Sequence, residues 1–208
     1  MMDDSRIFVA NLSKGMLGED KSNLLGALLV SQFQVAALSR ADLGRDHRRP
    51  FSLFIDEFHN FCSESFSSIL SEARKYGLNV TLAHQFLSQV PEETQDAVFG
   101  NVGNLFAFQL GSIDAERIAK EMIEQVAPSQ LTGLNKFEAI VRSVTNGEAE
   151  TPYLLKTVPP IHLKAQSPEK LIRRSRERFT CSRRLVESKL TGWIGKPLKE
   201  RTARRVRR

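Results

Sequence analysis

The stretch Ser52-Leu53-Phe54-Ile55-Asp56-Glu57-Phe58 is a short apolar run that stops abruptly at two adjacent carboxylates. Such a run reads as a buried strand that delivers acids to its carboxyl end. In a parallel α/β sheet the ligand crevice lies outside the carboxyl ends of the strands, so paired acids there suit Mg²⁺ and nucleotide chemistry. Asp56 and Glu57 are therefore read as a Walker B pair. Asp56 would hold Mg²⁺ through its waters, and Glu57 would orient or activate the attacking water in phosphoryl transfer. Taken alone, the same run also fits a strand that ends in two solvated acids.

Downstream, Ser63-Glu64-Ser65-Phe66 opens a helix whose apolar Phe66, Ile69, Leu70 and Ala73 recur at helical spacing, with Gly77 as its stop. Asn79-Val80-Thr81-Leu82-Ala83-His84-Gln85 is a second strand that ends in polar groups. A helix over Glu92–Phe99, a strand over Asn104–Gly111 and a helix over Asp114–Ala127 follow. Phe137–Val144 and Thr151–Leu155 flank Thr145-Asn146-Gly147-Glu148, whose Asn-Gly pair signals a hairpin. Pro152 restricts the second arm to a sheet edge.

Upstream, Ile7–Leu12 reads as a strand and is followed by a Gly-containing loop and a long apolar helix that ends near Arg40. The loop Gly15-Met16-Leu17-Gly18-Glu19-Asp20-Lys21-Ser22 imitates the phosphate-binding pattern GxxxxGK[ST]. It fails at one place, because Asp20 puts a carboxylate where the second glycine belongs. Residues 41–50 form a polar connector with Gly44 and Pro50 as breakers.

The 208 residues are 41% hydrophobic and 26% charged, an ordinary globular composition. Cys62 and Cys181 have no metal-ligand spacing and suggest a reduced cytosolic protein. The start of the chain shows no signal peptide. The apolar stretch Leu24–Leu38 is interrupted by Ser31, Gln32 and Gln34, which favours a core helix over a membrane span. His59 and His84 lack metal-ligand companions and read as structural.

The net charge of +6 conceals an asymmetry: from Glu169 to Arg208 there are 15 Lys or Arg against 4 acids. This divides the chain into a body, 1–160, and a basic, partly amphipathic helical tail, 161–208. In the tail Ile172, Phe179, Val186 and Trp193 recur every seven residues as a narrow apolar seam. Arg173, Arg174, Arg176, Arg178, Arg183 and Arg184 are its candidate nucleic-acid or partner contacts. The seam would dock on the body or a partner helix, or the tail would meet a membrane or nucleic acid. A solvated, solubilising end is the plain alternative. The last residues, Arg201–Arg208, read as a frayed end.

Asp56-Glu57, Ser71-Glu72-Ala73-Arg74-Lys75-Tyr76-Gly77 and Thr81-Leu82-Ala83-His84-Gln85 together resemble the motor domain of conjugative type IV secretion coupling proteins. These belong with the hexameric DNA-pumping ATPases that include HerA and FtsK. Asn11–Gly15, Leu25–Leu29 and Phe99–Gly103 share the likeness. The resemblance implies a RecA-like α/β domain with a mainly parallel sheet, flanking helices and a terminal hairpin. It also implies ATP and Mg²⁺ as cofactors, DNA as substrate, a homo-oligomeric ring, and secretion or relaxosome proteins as partners. The expected location is the cytoplasm, at the inner-membrane face in a full-length form.

On that likeness Gln85 is the polar sensor of the γ-phosphate or attacking water, and Arg74 matches the arginine finger that reaches a neighbouring subunit's nucleotide. A strand-end hydrogen bond for Gln85 and a helix-end charge for Arg74 are the plain alternatives. Two departures stand out. The family's Walker A loop is absent, so the chain resembles the carboxyl-terminal half of such an ATPase, a split or truncated gene that is inactive without an amino-terminal partner. Gln109 stands where an arginine is expected. A non-enzymatic DNA- or partner-binding module is the second reading. A metal-dependent nuclease is a third, weakened by the lack of further acids near Asp56 and Glu57 in the sequence.

Overall fold

Strands β1 (Phe51–Ile55) and β2 (Leu78–Leu82) pair in parallel, from Phe51 opposite Leu78 to Ile55 opposite Leu82. Phe51, Leu53 and Ile55 turn inward, as do Leu78, Val80 and Leu82, while Ser52, Phe54, Asn79 and Thr81 face out. In this computed structural model residues 2–4, 6–62, 64–123, 125–160 and 167–194 are described. The chain divides into two compact units, Met1–Val158 and Pro159–Arg208.

In the first unit, α1 (Lys14–Leu17) and α2 (Glu19–Leu38) precede β1. The crossover from β1 to β2 carries a 3-10 turn, Phe58–Phe61, then α3 (Glu64–Glu72) and a second 3-10 turn, Ala73–Tyr76. Phe66, Ile69 and Ala73 of this crossover are buried with Phe58, Leu78, and Val30 and Ala37 of α2. The Phe58 and Phe66 rings stack at 5.8 Å, and Phe33 of α2 stacks on Phe51 at 5.5 Å. Gly77 ends the crossover at φ 76°, a left-handed conformation that glycine adopts without steric cost. Gly26 serves close approach instead, since a Cβ there would fall 2.1 Å from the Phe61 ring.

The connector 41–50 is wound around arginines. Arg40, buried at the end of α2, donates from Nη1 to the carbonyls of Arg49 (3.0 Å) and Tyr76 (3.2 Å). Its Nη2 stands 2.7 Å from Asp3 Oδ1, an ion pair without hydrogen-bond alignment. Arg48 donates to the carbonyls of Leu43 (2.9 Å) and Lys75 (2.5 Å), and its guanidinium lies 5.1 Å from the centre of the Tyr76 ring.

The expected strand at Ile7–Leu12 does not form, and Ile7 and Val9 are 92% and 81% exposed. A strand needs a ladder partner, and among the described residues β1 pairs with β2 alone. Phe8 instead packs edge-on against Phe33 at 5.7 Å. The imitation phosphate loop is spent on local structure. The amides of Met16 and Leu17 donate to the Ser13 carbonyl, that of Gly18 to Lys14, and that of Ser22 to Gly18.

Beyond β2 come α4 (Glu92–Asn101), β3 (Leu105–Ala107), α5 (Ser112–Glu121) and α6 (Pro128–Thr132). They are followed by β4 (Glu138–Arg142), β5 (Val144–Thr145), β6 (Glu148–Ala149) and β7 (Tyr153–Lys156). Strands β3, β4 and β7 form an antiparallel sheet in that order, so among the described residues parallel pairing is confined to β1 and β2. Met122, Leu131 and Ala115 form a second core over this sheet. The hairpin turns at Asn146 (φ 55°) and Gly147 (φ 89°), and β7 is an edge strand as Pro152 requires. The helix expected over Asp114–Ala127 stops at Glu121, where Ile123 turns to φ 60° and Arg142 Nη1 donates to the Glu121 carbonyl at 2.6 Å.

The second unit contains α7 (Pro168–Phe179) and α8 (Arg183–Ile194), and neither helix buries a residue. They are interrupted at Thr180–Ser182, where Thr180 Oγ1 donates back to the Arg176 carbonyl at 2.8 Å and Cys181 is exposed. The seven-residue seam is therefore not one stripe: Ile172 and Phe179 belong to α7, Val186 and Trp193 to α8. The end expected to fray, Arg201–Arg208, lies outside the described residues. Among the described residues no helix is long and apolar enough to cross a membrane.

Candidate functional site

Asp56 and Glu57 occupy the turn directly after β1, and Gln85 lies three residues past the end of β2. Parallel pairing brings both strand ends to one edge. Two backbone bonds close it: Ala83 N–H donates to the Ile55 carbonyl (2.9 Å) and Phe58 N–H to the Ala83 carbonyl (3.1 Å). Glu57 sits at φ 48°, a region sparsely used by non-glycine residues. Its amide donates to Asp56 Oδ1 at 3.0 Å and its carbonyl accepts from Asn60 Nδ2 at 3.0 Å. These contacts fix the Glu57 carboxylate toward β2.

There, Gln85 Nε2 donates to Glu57 Oε1 in a short hydrogen bond. The other oxygen, Oε2, stands 3.5 Å from His59 Nδ1, a nitrogen that is buried without a hydrogen-bond partner. Asp56 and Gln85 are exposed and Glu57 is half-buried. His84 packs edge-on against Phe58 at 5.0 Å. Burial pushes its imidazole below the usual histidine range, opposed by a backbone hydrogen bond at Phe86 and the charge of Asp114. Asp114, from α5, also accepts from the Leu87 amide at 3.2 Å. Burial raises the Cys62 thiol to about 11, which makes it a poor nucleophile.

The geometry brings three of the sequence-predicted residues together and separates the fourth. Arg74, exposed in the 3-10 turn before β2, lies at the amino edge of the sheet. The length of β2 puts the Asp56–Glu57–Gln85 edge about 16 Å away. His59, which the sequence marks as structural, stands beside the carboxylate, two residues after Glu57 in a tight turn. A shallow groove lined by Glu116, Lys120, Val126 and Pro128 is built from α5, α6 and their connection, on elements other than those that carry the acids.

Residues 50–130 match the protein family described as the TraM recognition site of TraD and TraG. The bacterial conjugative coupling protein TrwB, in its unbound form, aligns with a TM-score of 0.51 and 18% identity over 64% of this chain and 37% of TrwB. TrwB bound to a non-hydrolysable ATP analogue gives 0.51 and 19% over 66% and 38%. The chain is similar to the carboxyl-terminal part of a conjugative coupling-protein ATPase. It spans under two-fifths of the coupling-protein structures it matches. The genome-packaging NTPase B204 of Sulfolobus turreted icosahedral virus 2, bound to ATPγS, aligns at 0.46 and 15% over 64% of this chain and 62% of B204. No curated protein sequence matches.

The likeness to TrwB is one of fold, α/β with small sheets. Gln109, the departure noted in the sequence, spends Nε2 on the Thr132 carbonyl at 3.3 Å. The tail arginines are exposed, with Arg183 paired to Glu187 at 2.8 Å and Arg173 to Glu177 at 3.9 Å.

Proposed function

We propose that this chain forms the acid-bearing part of the ATP-hydrolysing domain of a coupling-protein motor that moves DNA. The observation that carries the reading is Gln85 reaching across the carboxyl edges of two parallel strands to Glu57, with Asp56 open beside them. Among the described residues no cluster of three or more His, Cys, Asp or Glu could hold a metal alone. A single exposed carboxylate at a strand end fits a Mg²⁺ that arrives with nucleotide phosphates and waters. Mg-ATP would supply the scissile phosphate and the neutralisation of its charge.

Asp56 would accept hydrogen bonds from the waters of that complex. Glu57 would take hold of the attacking water once Oε1 leaves Gln85. Gln85, able to donate and accept, would sense the γ-phosphate. Arg74, at the far edge of the sheet, would act on the nucleotide of a neighbouring subunit in a ring. The phosphate-cradling loop would come from further polypeptide, because the imitation loop carries Asp20 where the second glycine belongs and the amides of Met16, Leu17, Gly18 and Ser22 are bonded within it or to Ser13 and Lys14. The match of residues 50–130 supports a TraM-like relaxosome partner. The site of action would be the cytoplasmic face of the inner membrane.

The test is calorimetry of Mg-ATP on this chain alone and with an amino-terminal coupling-protein half that carries GxxxxGK[ST]. Binding and hydrolysis are expected only on reconstitution, and Glu57→Gln is expected to lower hydrolysis at least about 100-fold. Hydrolysis that survives both Asp56→Ala and Glu57→Gln would overturn the reading. The exposed arginines of α7 favour a second reading, a non-enzymatic DNA-binding module. In that case duplex binding disappears on truncation after Pro160 and weakens steeply with salt.

A further inference from the structure

Helix α7 is strongly two-sided. At the α-helical period, Leu171, Ile172, Ser175 and Phe179 fall within an arc of about 100°. Arg176 and Arg178 flank that arc on either side, and Lys170, Arg173 and Arg174 lie opposite. In α8, Val186, Leu190, Trp193 and Ile194 share a similar arc, with Arg183 at its amino end paired to Glu187. The arcs are uncovered: Leu171 and Phe179 are each 71% exposed and Trp193 is 91% exposed. The charge is predominantly positive, five cations against two acids in α7 and three against one in α8.

We propose that α7 and α8 lie on an anionic lipid bilayer, with the apolar arcs at the headgroup boundary and the arginines on lipid phosphates. Both halves of the surface argue for this occupant. Nucleic acid would satisfy the cations but leave Leu171, Ile172, Phe179 and Trp193 in water, because its contacts are made mostly to phosphate and sugar. An uncharged apolar partner would leave the arginines unmatched. A bilayer takes both, since arginine stems at the edge of an apolar arc extend to the phosphates while the arc is buried. Trp193 and Phe179 suit the boundary, where aromatic rings concentrate. Neither helix has the length and apolarity of a membrane span, so the helices rest on the surface.

Trp193 is the chain's single tryptophan and reports directly on this contact. The full chain is mixed with vesicles of phosphatidylcholine, with and without phosphatidylglycerol, and followed by tryptophan emission and co-sedimentation. A blue shift with co-sedimentation is expected on the anionic vesicles, and binding at least about tenfold weaker on phosphatidylcholine alone. The double variant Ile172→Ser/Phe179→Ser is expected to lose at least about tenfold in vesicle affinity. Because neither side chain packs into a core, the thermal unfolding of the chain should not move. The proposal is overturned by an unshifted Trp193 on anionic vesicles or by undiminished binding of the double variant. It is equally overturned if the blue shift appears without lipid, on self-association or on adding duplex DNA. None of these outcomes depends on ATP hydrolysis.

Discussion

At the amino ends of β1 and β2 a buried arginine closes the sheet, whereas at their carboxyl ends two acids and an amide stand open or half-open to solvent. Arg40 is 2% exposed and holds two carbonyls; Gln85 is exposed and holds one carboxylate. The buried end is costly to disturb, because any carbonyl it releases is left without water. The open end can exchange its hydrogen bonds for water or ligand at little cost. One end of the strand pair thus fixes the geometry that the other end displays.

The comparison breaks most directly at Arg40. Arg40→Ala orphans the Arg49 and Tyr76 carbonyls and is expected to cost about 3 kcal/mol in urea denaturation, with Gln85→Ala below about 1 kcal/mol. Equal losses for the two variants would refute the division of labour. Gly26→Val should follow at about 2 kcal/mol, since the Phe61 ring fills the space a side chain needs. A crystal structure of that variant with Phe61 unmoved would show that the ring is not what limits the residue at position 26.

The smallest effect expected is a pH dependence. Burial holds His84 below its ordinary value, so the unfolded chain takes up the proton more readily than the folded one. Its contribution is complete above about pH 6.5 and is lost as the pH falls toward the folded value. Between about pH 7.5 and about pH 5.5, the wild type should therefore lose more stability than His84→Asn. Parallel losses in the two proteins would show that His84 is not protected by its contact with Phe58.

Much of the open end was legible in the sequence. The apolar run broken at Asp56 and the polar finish at Gln85 are local signals, and parallel pairing turns them into one edge. Asn146-Gly147 likewise encodes its own turn. The closed end was illegible, because the burial of Arg40 depends on carbonyls 9 and 36 residues away. The run at Ile7–Leu12 carries strand propensity, but pairing is a property of two segments. The end of α5 was hidden because Ile123, not a glycine, takes the left-handed turn and a distant Arg142 caps the carbonyl.

The two cysteines give the chain an unplanned chemical handle. Cys62 is half-buried, with a thiol held near 11, and Cys181 is exposed at the interruption between α7 and α8. A maleimide dye at neutral pH should therefore decorate the elbow of the tail and spare the core. One unmodified sequence then yields a singly labelled protein whose fluorophore sits where the two basic helices part.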